Sequence, residues 1–163
     1  MPTRPIAKEG ALFFKKLLVP TDLSEPAEVA FRAALSVIGS DPAEVTLLHV
    51  VDLSTLLPMT TIFMSPGQEL SLRREVRERV EQTMGELVAG KGVEGQRIEI
   101  VVLEDKSVAN AICRYAEDHN YDAIVISSHG RTGLAHLMIG SVAERVVRLA
   151  KRPVLVIPVS TAG

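Results

Sequence analysis

The chain has 163 residues, of which 47% are hydrophobic and 23% charged, and its formal net charge is −2. These values are typical of one globular domain of ordinary size and exclude a largely disordered chain. No surplus of basic residues is present to attract a phosphate backbone, so we expect no nucleic-acid partner.

Cysteine usage and hydropathy limit the setting of the protein. The single cysteine, Cys113, excludes an internal disulfide and a cysteine-based zinc cluster. No apolar run approaches the roughly 20 residues that span a bilayer, and residues 1–14 lack the features of a signal peptide. We therefore expect a cytoplasmic protein without a membrane partner.

Strand-like and helix-like segments alternate along the chain. Short apolar runs predict strands at residues 14–20, 44–51, 97–103, 122–127 and 153–159. Amphipathic segments with serines at their starts predict helices at residues 24–38, 65–89, 107–116 and 141–151. Residues 52–64 are expected to be irregular.

This alternation implies parallel strands joined by right-handed crossovers, and the apolar strands imply a sheet covered on both faces. We expect an open five-stranded parallel α/β sheet in a single domain at residues 14–163, after an N-terminal extension at residues 1–13. The first helix is predicted to bury Val29, Ala30, Ala33, Ala34 and Val37. The long second helix is predicted to bury Val76, Val80, Met84 and Val88.

The loop after the fourth strand holds the strongest candidate for a binding site. Gly130 and Gly140 are separated by nine residues, and Ser141 follows at the start of a helix. A helix start attracts phosphate, and a glycine lets an anion approach the backbone closely. The same residues have a purely structural interpretation, because Ser141 and Glu144 match the S-x-x-E capping box, which needs no ligand.

Other chemical signatures are weak or missing in the sequence. There is no G-x-x-x-x-G-K-[ST] motif, and no G-x-G-x-x-G follows the first strand. A phosphoacceptor receiver would need paired acids after strand one and a lysine after strand five, and the chain has neither. His49 is predicted to be a core residue, His119 and His136 surface residues, and Cys113 a packing residue. His129 lies beside the candidate site without a catalytic partner, so we expect no catalytic residues and no protein-bound metal.

The segment at residues 127–147, SSHGRTGLAHLMIGSVAERVV, resembles the signature of the universal stress protein family. That signature reads Gly, two residues, Gly, nine residues, Gly, and then Ser or Thr. Three further segments resemble the same family: LLVPTDLSE at 17–25, LLHVVD at 47–52 and RPVLVIP at 152–158. The resemblance spans residues 14–159, with one departure, because Ser127 stands in place of the first glycine.

The resemblance implies a fold and a set of binding residues. The family fold, adenine nucleotide alpha hydrolase-like, has strand order 3-2-1-4-5, and its nucleotide-binding branch holds ATP beside strands one and four. Matched by position, Pro20, Thr21 and Asp22 would border the adenosine, and Val50 would meet the adenine edge. The residues implied around the phosphates are Ser127, His129, Gly130, Arg131, Gly140, Ser141 and Val142.

The function implied by the resemblance is that of an adenine-nucleotide-binding regulatory protein in a stress response, with ATP, ADP or AMP as ligand and with or without Mg²⁺. Two alternatives stay open. One is a slow Mg²⁺-dependent ATPase or phosphotransferase that uses Asp22 and Glu144. The other is a nucleotide-free dimerisation or interaction module, for which Ser127 is the discriminating feature. In each case we expect a homodimer paired through the edge strand at residues 153–159.

Overall fold

The predicted alternation of strands and helices is present in the structure. The computed structural model describes residues 14–38, 43–56, 64–91, 96–128 and 139–159. In chain order the elements are β1 (Lys16–Pro20), α1 (Glu25–Ile38), β2 (Ala43–Val51), α2 (Leu53–Leu56), α3 (Pro66–Val88), β3 (Gln96–Glu104), α4 (Val108–Asp118), β4 (Ala123–Ser127), α5 (Ser141–Leu149) and β5 (Val154–Ile157). The short α2 was not predicted, because four residues are too few to show a helical period.

The five strands form one parallel sheet in the order β3-β2-β1-β4-β5. This confirms both the predicted open α/β sheet and the strand order 3-2-1-4-5. Strand β1 is central: Pro20 pairs with Leu48 of β2, and Leu18 pairs with Ile124 of β4. Leu17, Leu18 and Val19 are fully buried, as expected for a strand whose two faces are both covered by helices.

Each face of the sheet has its own hydrophobic core. The first core lies under α1 and α3 and joins Phe31 and Met84 to Leu17 of the sheet. The second core lies under α4 and α5 and joins Ile112 to Leu18. The helices are therefore divided between the two faces, which sets the direction of approach to the carboxyl ends of the strands.

Helix α1 buries a face that differs in part from the predicted one. Ala30 and Ala34 are buried as predicted, but Val37 is 44% exposed, and Val29 and Ala33 are only half-buried. The buried residues are Ala27, Ala30, Phe31, Ala34, Leu35 and Ile38. Two overlapping apolar stripes compete on this helix, and the stripe with the larger side chains removes more apolar area from water.

Helix α3 begins at a capping box. The Ser65 hydroxyl accepts a hydrogen bond from the Gln68 N–H at 3.4 Å, and Gln68 Oε1 accepts one from the Ser65 N–H at 2.9 Å. Met84 is fully buried, and the half-buried side chains of Val76, Val80 and Val88 pack against the first core, which confirms the predicted face. No helix in the described ranges is long and apolar enough to cross a membrane.

Side chains at the amino ends of the strands fix the position of β1 beside β4. Asp122 Oδ2 accepts hydrogen bonds from the backbone N–H groups of Lys15 and Lys16 at 2.9 and 3.0 Å. The buried Tyr121 hydroxyl donates to Thr46 Oγ1 of β2 at 2.7 Å. These contacts hold the amino ends of β1, β2 and β4 in register. The carboxyl ends of the same three strands therefore lie together at the opposite edge of the sheet.

Candidate functional site

The winding of the sheet reverses between β1 and β4. From β1 the chain continues to β2 and β3 on one side, whereas β4 and β5 lie on the other. The helices that follow β1 and β4 cover opposite faces, since α1 packs in the first core and α5 in the second. Open α/β sheets bind ligands in the crevice at such a reversal. Pro20 ends β1 and Ser127 ends β4, so both lie at this crevice.

Thr21 is held firmly just beyond the end of β1. Its N–H donates to the Leu48 carbonyl at 2.8 Å, and its hydroxyl accepts from the Leu23 N–H at 3.0 Å. Its carbonyl accepts a hydrogen bond from His49 Nδ1 at 2.7 Å. His49 is therefore satisfied, as predicted, but it is partly exposed and stands at the crevice instead of in a core. The flanking residues Val50 and Val51 are 8% and 6% exposed, so His49 is more exposed than the part of β2 that follows it.

Asp22 closes a tight turn that recurs at two other strand ends. Asp22 Oδ1 accepts hydrogen bonds from both the N–H and the hydroxyl of Ser24. After β2, Asp52 Oδ1 accepts from Ser54 in the same way, and after β3, Asp105 Oδ1 accepts from the Ser107 N–H. All three turns read Asp-x-Ser in the sequence. This repeated Asx turn, a signal available in the sequence but not used in the prediction, gives Asp22 a structural role of its own.

The carboxylate of Asp22 is not exhausted by that turn. An ionised carboxylate offers about four acceptor positions, and the turn bonds to Oδ1 come from a single neighbouring residue, Ser24. At the corresponding position after β3, hydrogen bonds from the Ser107 N–H and from Arg114 hold the pKa of Asp105 below its ordinary value. Asp105 thus shows that a carboxylate in this turn also accepts a hydrogen bond from a second, distant donor.

The loop between Asp22 and Ser24 contains an unusual backbone conformation. Leu23 has φ = 64°, in the left-handed region, which costs a side chain other than glycine about 1–2 kcal/mol. The hydrogen bonds of Thr21 and Asp22 to the residues around it enforce this conformation, and the Leu23 side chain packs against the first core. Strain that is over-determined in this way occurs preferentially at binding sites.

The start of α5 is fixed at the end of β4. The Gly140 N–H donates to the Ser128 carbonyl at 2.7 Å, and the Ser128 N–H donates to the Ile157 carbonyl at 2.8 Å. The Ser128 hydroxyl accepts from the Val159 N–H at 3.3 Å. Ser128, which the sequence reasoning did not single out, therefore connects β4, β5 and the first turn of α5.

The predicted capping box at Ser141 and Glu144 is wrong. Gly140 is the N-cap, Ser141 is already the first helical residue, and among the described residues no side-chain cap is formed at this helix start. The Gly140 carbonyl accepts from the Glu144 N–H at 2.9 Å, so the helix begins one residue earlier than a box would require. A capping box needs its serine outside the first turn. The first N–H groups of α5 consequently keep their capacity to bind an anion.

Neither Gly140 nor Ser127 is dictated by backbone conformation. Gly140 has φ = −59° and ψ = 151°, which any residue adopts, so its backbone conformation does not require glycine. Ser127 lies in β4 opposite Ile157, and the positive φ angles among the described non-glycine residues fall only at Leu23 and Asn120. Ser127 thus occupies its position without strain, although it stands where the family signature has glycine.

Val50, Ser141 and Val142 complete the predicted residues that the structure describes. Val50 is 8% exposed, and it shares the β1-facing edge of β2 with Leu48, beyond the last hydrogen bond from Thr21. Ser141 and Val142 are exposed in the first turn of α5. The structure therefore brings the ends of β1, β2 and β4 and the start of α5 to one edge of the sheet. The predicted His129, Gly130 and Arg131, together with His136, lie outside the described residues.

The remaining candidate groups are held in structural contacts or exposed. Cys113 packs in the second core with Sγ 3.8 Å from the Val146 carbonyl, and burial raises the pKa of its thiol, as expected for a packing residue. His119 is exposed and stacks on Tyr115, which confirms its surface position. Glu144 is exposed and lies 4.0 Å from Arg148. Within the described ranges, no group of three or more His, Cys, Asp or Glu residues could hold a metal ion.

Comparison with known proteins places the whole of this architecture in one family. The model of the universal stress protein family matches residues 13–158. Universal stress protein MJ0577 of Methanocaldococcus jannaschii is 30% identical over 157 residues, which are 90% of this chain and 96% of that protein. Universal stress protein YxiE of Bacillus subtilis is 30% identical over 150 residues, 88% of this chain and 99% of that protein.

Solved structures agree with the sequence comparison. The structure of MJ0577 superposes with a TM-score of 0.77 at 29% identity and covers 93% of this chain and 100% of that one. The universal stress protein UspA of Lactobacillus plantarum superposes with a TM-score of 0.60 at 26% identity and covers 90% and 99% of the two chains. From its fold, its matched length and its similarity to these relatives, the chain belongs to the universal stress protein family.

Proposed function

We propose that the protein binds an adenine nucleotide across the carboxyl ends of β1, β2 and β4 and regulates a stress response through that occupancy. One observation carries the proposal. The 2.7 Å hydrogen bond from the Gly140 N–H to the Ser128 carbonyl holds the uncapped start of α5 at the crevice between β4 and β1. A helix start placed at the reversal of an open α/β sheet is a binding position for phosphate.

The phosphate end of the ligand is assigned to α5. The helix has nine residues, and its first N–H groups have no side-chain cap. Gly140 adopts an ordinary extended backbone conformation without a Cβ, which leaves room for a phosphate oxygen close to the chain. The exposed Ser141 hydroxyl adds a donor in the same turn. His129, Gly130 and Arg131 belong to this part of the proposal through the family resemblance.

The nucleoside end of the ligand is assigned to β1 and β2. Asp22 is fixed at the end of β1 by its turn to Ser24, and its carboxylate is suited to accept a hydrogen bond from a ribose hydroxyl. Pro20 and Thr21 directly precede Asp22, and the Thr21 N–H is hydrogen-bonded to β2. Val50 offers backbone groups at the edge of β2 where β1 has ended, which suits the polar edge of an adenine ring.

Two universal stress proteins with this fold have been solved as complexes with adenine nucleotides. One is a complex with cAMP, at 19% identity and a TM-score of 0.57. The other, from Archaeoglobus fulgidus, is a complex with dAMP, at 20% identity and a TM-score of 0.57. At identities of 19% and 20%, these two structures are evidence of a shared fold only. They support the proposal because the same fold accommodates nucleoside monophosphates in those two proteins.

We favour regulated binding over catalysis. Asp22 is engaged in a turn, and Glu144 is exposed on α5 beside Arg148, so each of the two carboxylates proposed for an ATPase has a structural contact that accounts for it. Mg²⁺ commonly reaches such sites on the phosphates of the nucleotide with one or two carboxylates. Asp22 is the carboxylate at the crevice that is suited to contact such a nucleotide-bound Mg²⁺.

The proposed assembly is a homodimer paired along β5. This strand is at the edge of the sheet, and its four residues are half-buried. The neighbouring α5 exposes Val142, Val147 and Leu149, each by more than a third of its surface. Exposed edge strands tend to be covered or paired, and a second copy of β5 would supply both the hydrogen bonds and the apolar contact.

Isothermal titration calorimetry with ATP, ADP and AMP tests the binding proposal. We expect one site per chain, with a dissociation constant in the micromolar range or tighter for at least one of the three ligands. Incubation of each complex with Mg²⁺ should leave ATP essentially unhydrolysed over the time of the titration. The absence of binding heat at millimolar concentrations of all three ligands would overturn the proposal in favour of a nucleotide-free interaction module.

A further inference from the structure

A second concave surface lies on the other side of β2 from the nucleotide site. It is a cleft of about 290 Å³ between the first half of α3 and the carboxyl ends of β2 and β3. Its most buried lining residues are Val51, Leu53 and Val102, each no more than 9% exposed. At its rim Leu70 leaves 60% of its surface exposed. None of the residues assigned to the nucleotide lines this cleft.

Two of the three arginines at the cleft are paired with carboxylates. Three arginines of α3 and Glu104 of β3 line it. Arg73 pairs with Glu104 and also with Glu69 at 2.6 Å, and Arg77 pairs with Glu81 at 2.9 Å. Arg74 is exposed and forms no ion pair or hydrogen bond with any residue in the described part of the chain. Arg74 is therefore the arginine at this cleft whose guanidinium is available to a ligand.

The size of the cleft selects a small molecule. Its volume is at the lower end of the roughly 300–1,000 Å³ of ligand pockets. A helix of a partner protein, about 10–12 Å across, would not enter it. The aliphatic side chains of Val51, Leu53 and Val102 suit a hydrocarbon chain and offer no hydrogen bonds to a polar body.

The nature of the charged group follows from the carboxylates nearby. Glu104 and Glu69 lie beside Arg73, so repulsion from these carboxylates rises with each negative charge on the ligand and favours a single charge. A carboxylate has one charge and matches the planar guanidinium of Arg74 with two parallel hydrogen bonds. We propose that this cleft binds an aliphatic monocarboxylate of medium length, with its chain against Val51 and its carboxylate on Arg74.

This proposal does not depend on the nucleotide proposal. Val50 belongs to the second core and Val51 to the first, because successive side chains of β2 point to opposite faces. The cleft lies on the face of α3, whereas the start of α5 belongs to the opposite face. A failure of the nucleotide to bind would therefore leave the monocarboxylate proposal standing, and a failure of the monocarboxylate to bind would leave the nucleotide proposal standing.

Amide and methyl NMR spectra of the full chain, titrated with sodium decanoate, test the proposal. We expect saturable shifts of Leu53, Leu70, Val102 and Leu103. Decanol, which has the same chain without a charge, should shift the same signals with weaker affinity. The absence of saturable shifts at millimolar decanoate, or shifts confined to other parts of the chain, would overturn the proposal.

Two cleft variants and one matched control test the roles of its residues. Arg74→Gln should weaken decanoate binding about tenfold and leave decanol binding unchanged, since it removes only a charge-assisted hydrogen bond. Arg79→Gln removes an exposed arginine of α3 that does not line the cleft and should have no effect. Leu70→Ser should weaken both ligands about threefold. Equal effects of Arg74→Gln and Arg79→Gln would show that the attraction is non-specific and would reject the site.

Discussion

Asp22 combines a structural and a proposed binding role in one side chain. Its Oδ1 closes the turn to Ser24 with the same geometry that Asp52 uses toward Ser54 at the end of the adjacent strand. Asp52 is not among the residues assigned to the nucleotide. The pair therefore provides a built-in control, in which the same turn is removed once at the proposed site and once beside it.

Asp22→Ala should lower the affinity for AMP by tenfold or more, because a hydrogen bond to a charged group contributes about 1.5–3 kcal/mol. Asp52→Ala should leave AMP affinity unchanged. Both variants should lose a similar free energy of unfolding, about 1 kcal/mol, since both lose an Asx turn. Calorimetry measures the affinities and urea denaturation measures the stabilities. Equal AMP affinities of the two variants would remove Asp22 from the site.

Ser127 is the residue at which the sequence left the function most open. A glycine at this position can be required for its backbone torsion or for the space it leaves. The structure removes the first requirement, because β4 holds Ser127 in extended backbone with no need for glycine. The sequence could not settle this, because a signature glycine can be required for torsion or for space and the motif does not distinguish the two. The second requirement is steric, and it concerns the Ser127 side chain, which is 7% exposed at the end of β4 beside the proposed site.

At the scale of the element, the start of α5 is the feature that most needs a direct test. Gly140→Asp would place a carboxylate at an N-cap whose backbone conformation accepts it. A capping aspartate satisfies free N–H groups and complements the helix dipole, so the free energy of unfolding should stay the same or rise by a few tenths of a kcal/mol. The same carboxylate would repel a phosphate, and AMP affinity should fall at least tenfold.

The matched control is Ser65→Asp, which places the same charge at the N-cap of α3. It should change neither AMP affinity nor, by more than a few tenths of a kcal/mol, the stability. Thermal unfolding and calorimetry of the two variants separate a capping effect from a phosphate effect. Unaltered AMP affinity in Gly140→Asp would show that α5 does not hold the phosphate.

One carboxylate ties α1 to the turn that follows α3. Glu28 of α1 accepts from Lys91 Nζ at 2.5 Å and from Arg32 at 3.0 Å. The hydrogen bond from Lys91 is the main cause that holds the pKa of Glu28 below its ordinary value of 4.5. A carboxyl whose pKa is lowered by folding stabilises the folded state above its ordinary pKa, and loses this contribution as the pH falls through its folded-state pKa.

Glu28→Gln should therefore lower the free energy of unfolding at pH 7 by up to about 1 kcal/mol, the usual size of a surface ion pair. The difference from the unaltered protein should shrink as the pH falls below 4.5 and vanish once Glu28 is protonated. Urea denaturation at several pH values measures this difference. A difference that is constant from pH 7 down into the acid range would contradict the ionic origin of the contact.

The elements show what the sequence could and could not supply. The apolar runs predicted all five strands, because a buried parallel strand is apolar on both faces. The buried face of α1 was predicted only in part, since its alanines and valines form a second apolar stripe beside Phe31 and Leu35. The helix beginning at Ser141 was predicted correctly, but the capping box was wrong, because the N-cap is Gly140 and not Ser141.

At the scale of the whole molecule, the strand order is the property on which the proposed site depends. Residues that are more than 100 positions apart, such as Asp22 and Gly140, are brought to one edge because β1 and β4 are neighbours. Alternation of strands and helices predicts a parallel sheet, but several strand orders satisfy it. The order came from the family resemblance, and the structure confirms it.

The proposed dimer is the second whole-molecule property. The backbone carbonyls of Pro153 and Ile157 point toward β4, where they accept hydrogen bonds from Ile124 and Ser128. Because backbone groups alternate along a strand, the N–H and C=O groups of Val154 and Val156 point toward the free edge of the sheet. Val156→Pro should convert the dimer to a monomer, because it removes an outward N–H while sparing the bonds to β4. Val156→Ala shortens the same side chain, keeps the N–H and should remain dimeric. Sedimentation analysis measures both, and a dimeric Val156→Pro variant would exclude pairing along β5.

The central claim is that one adenine nucleotide lies across the ends of β1, β2 and β4 and the start of α5. The most direct test is an amide NMR titration of the full chain with AMP. We expect saturable shifts that cluster at Thr21, Ser24, Val50, Ser128 and Gly140, with the cleft residues Leu53 and Leu103 unaffected. Shifts confined to the cleft, or no shifts at millimolar AMP, would contradict it.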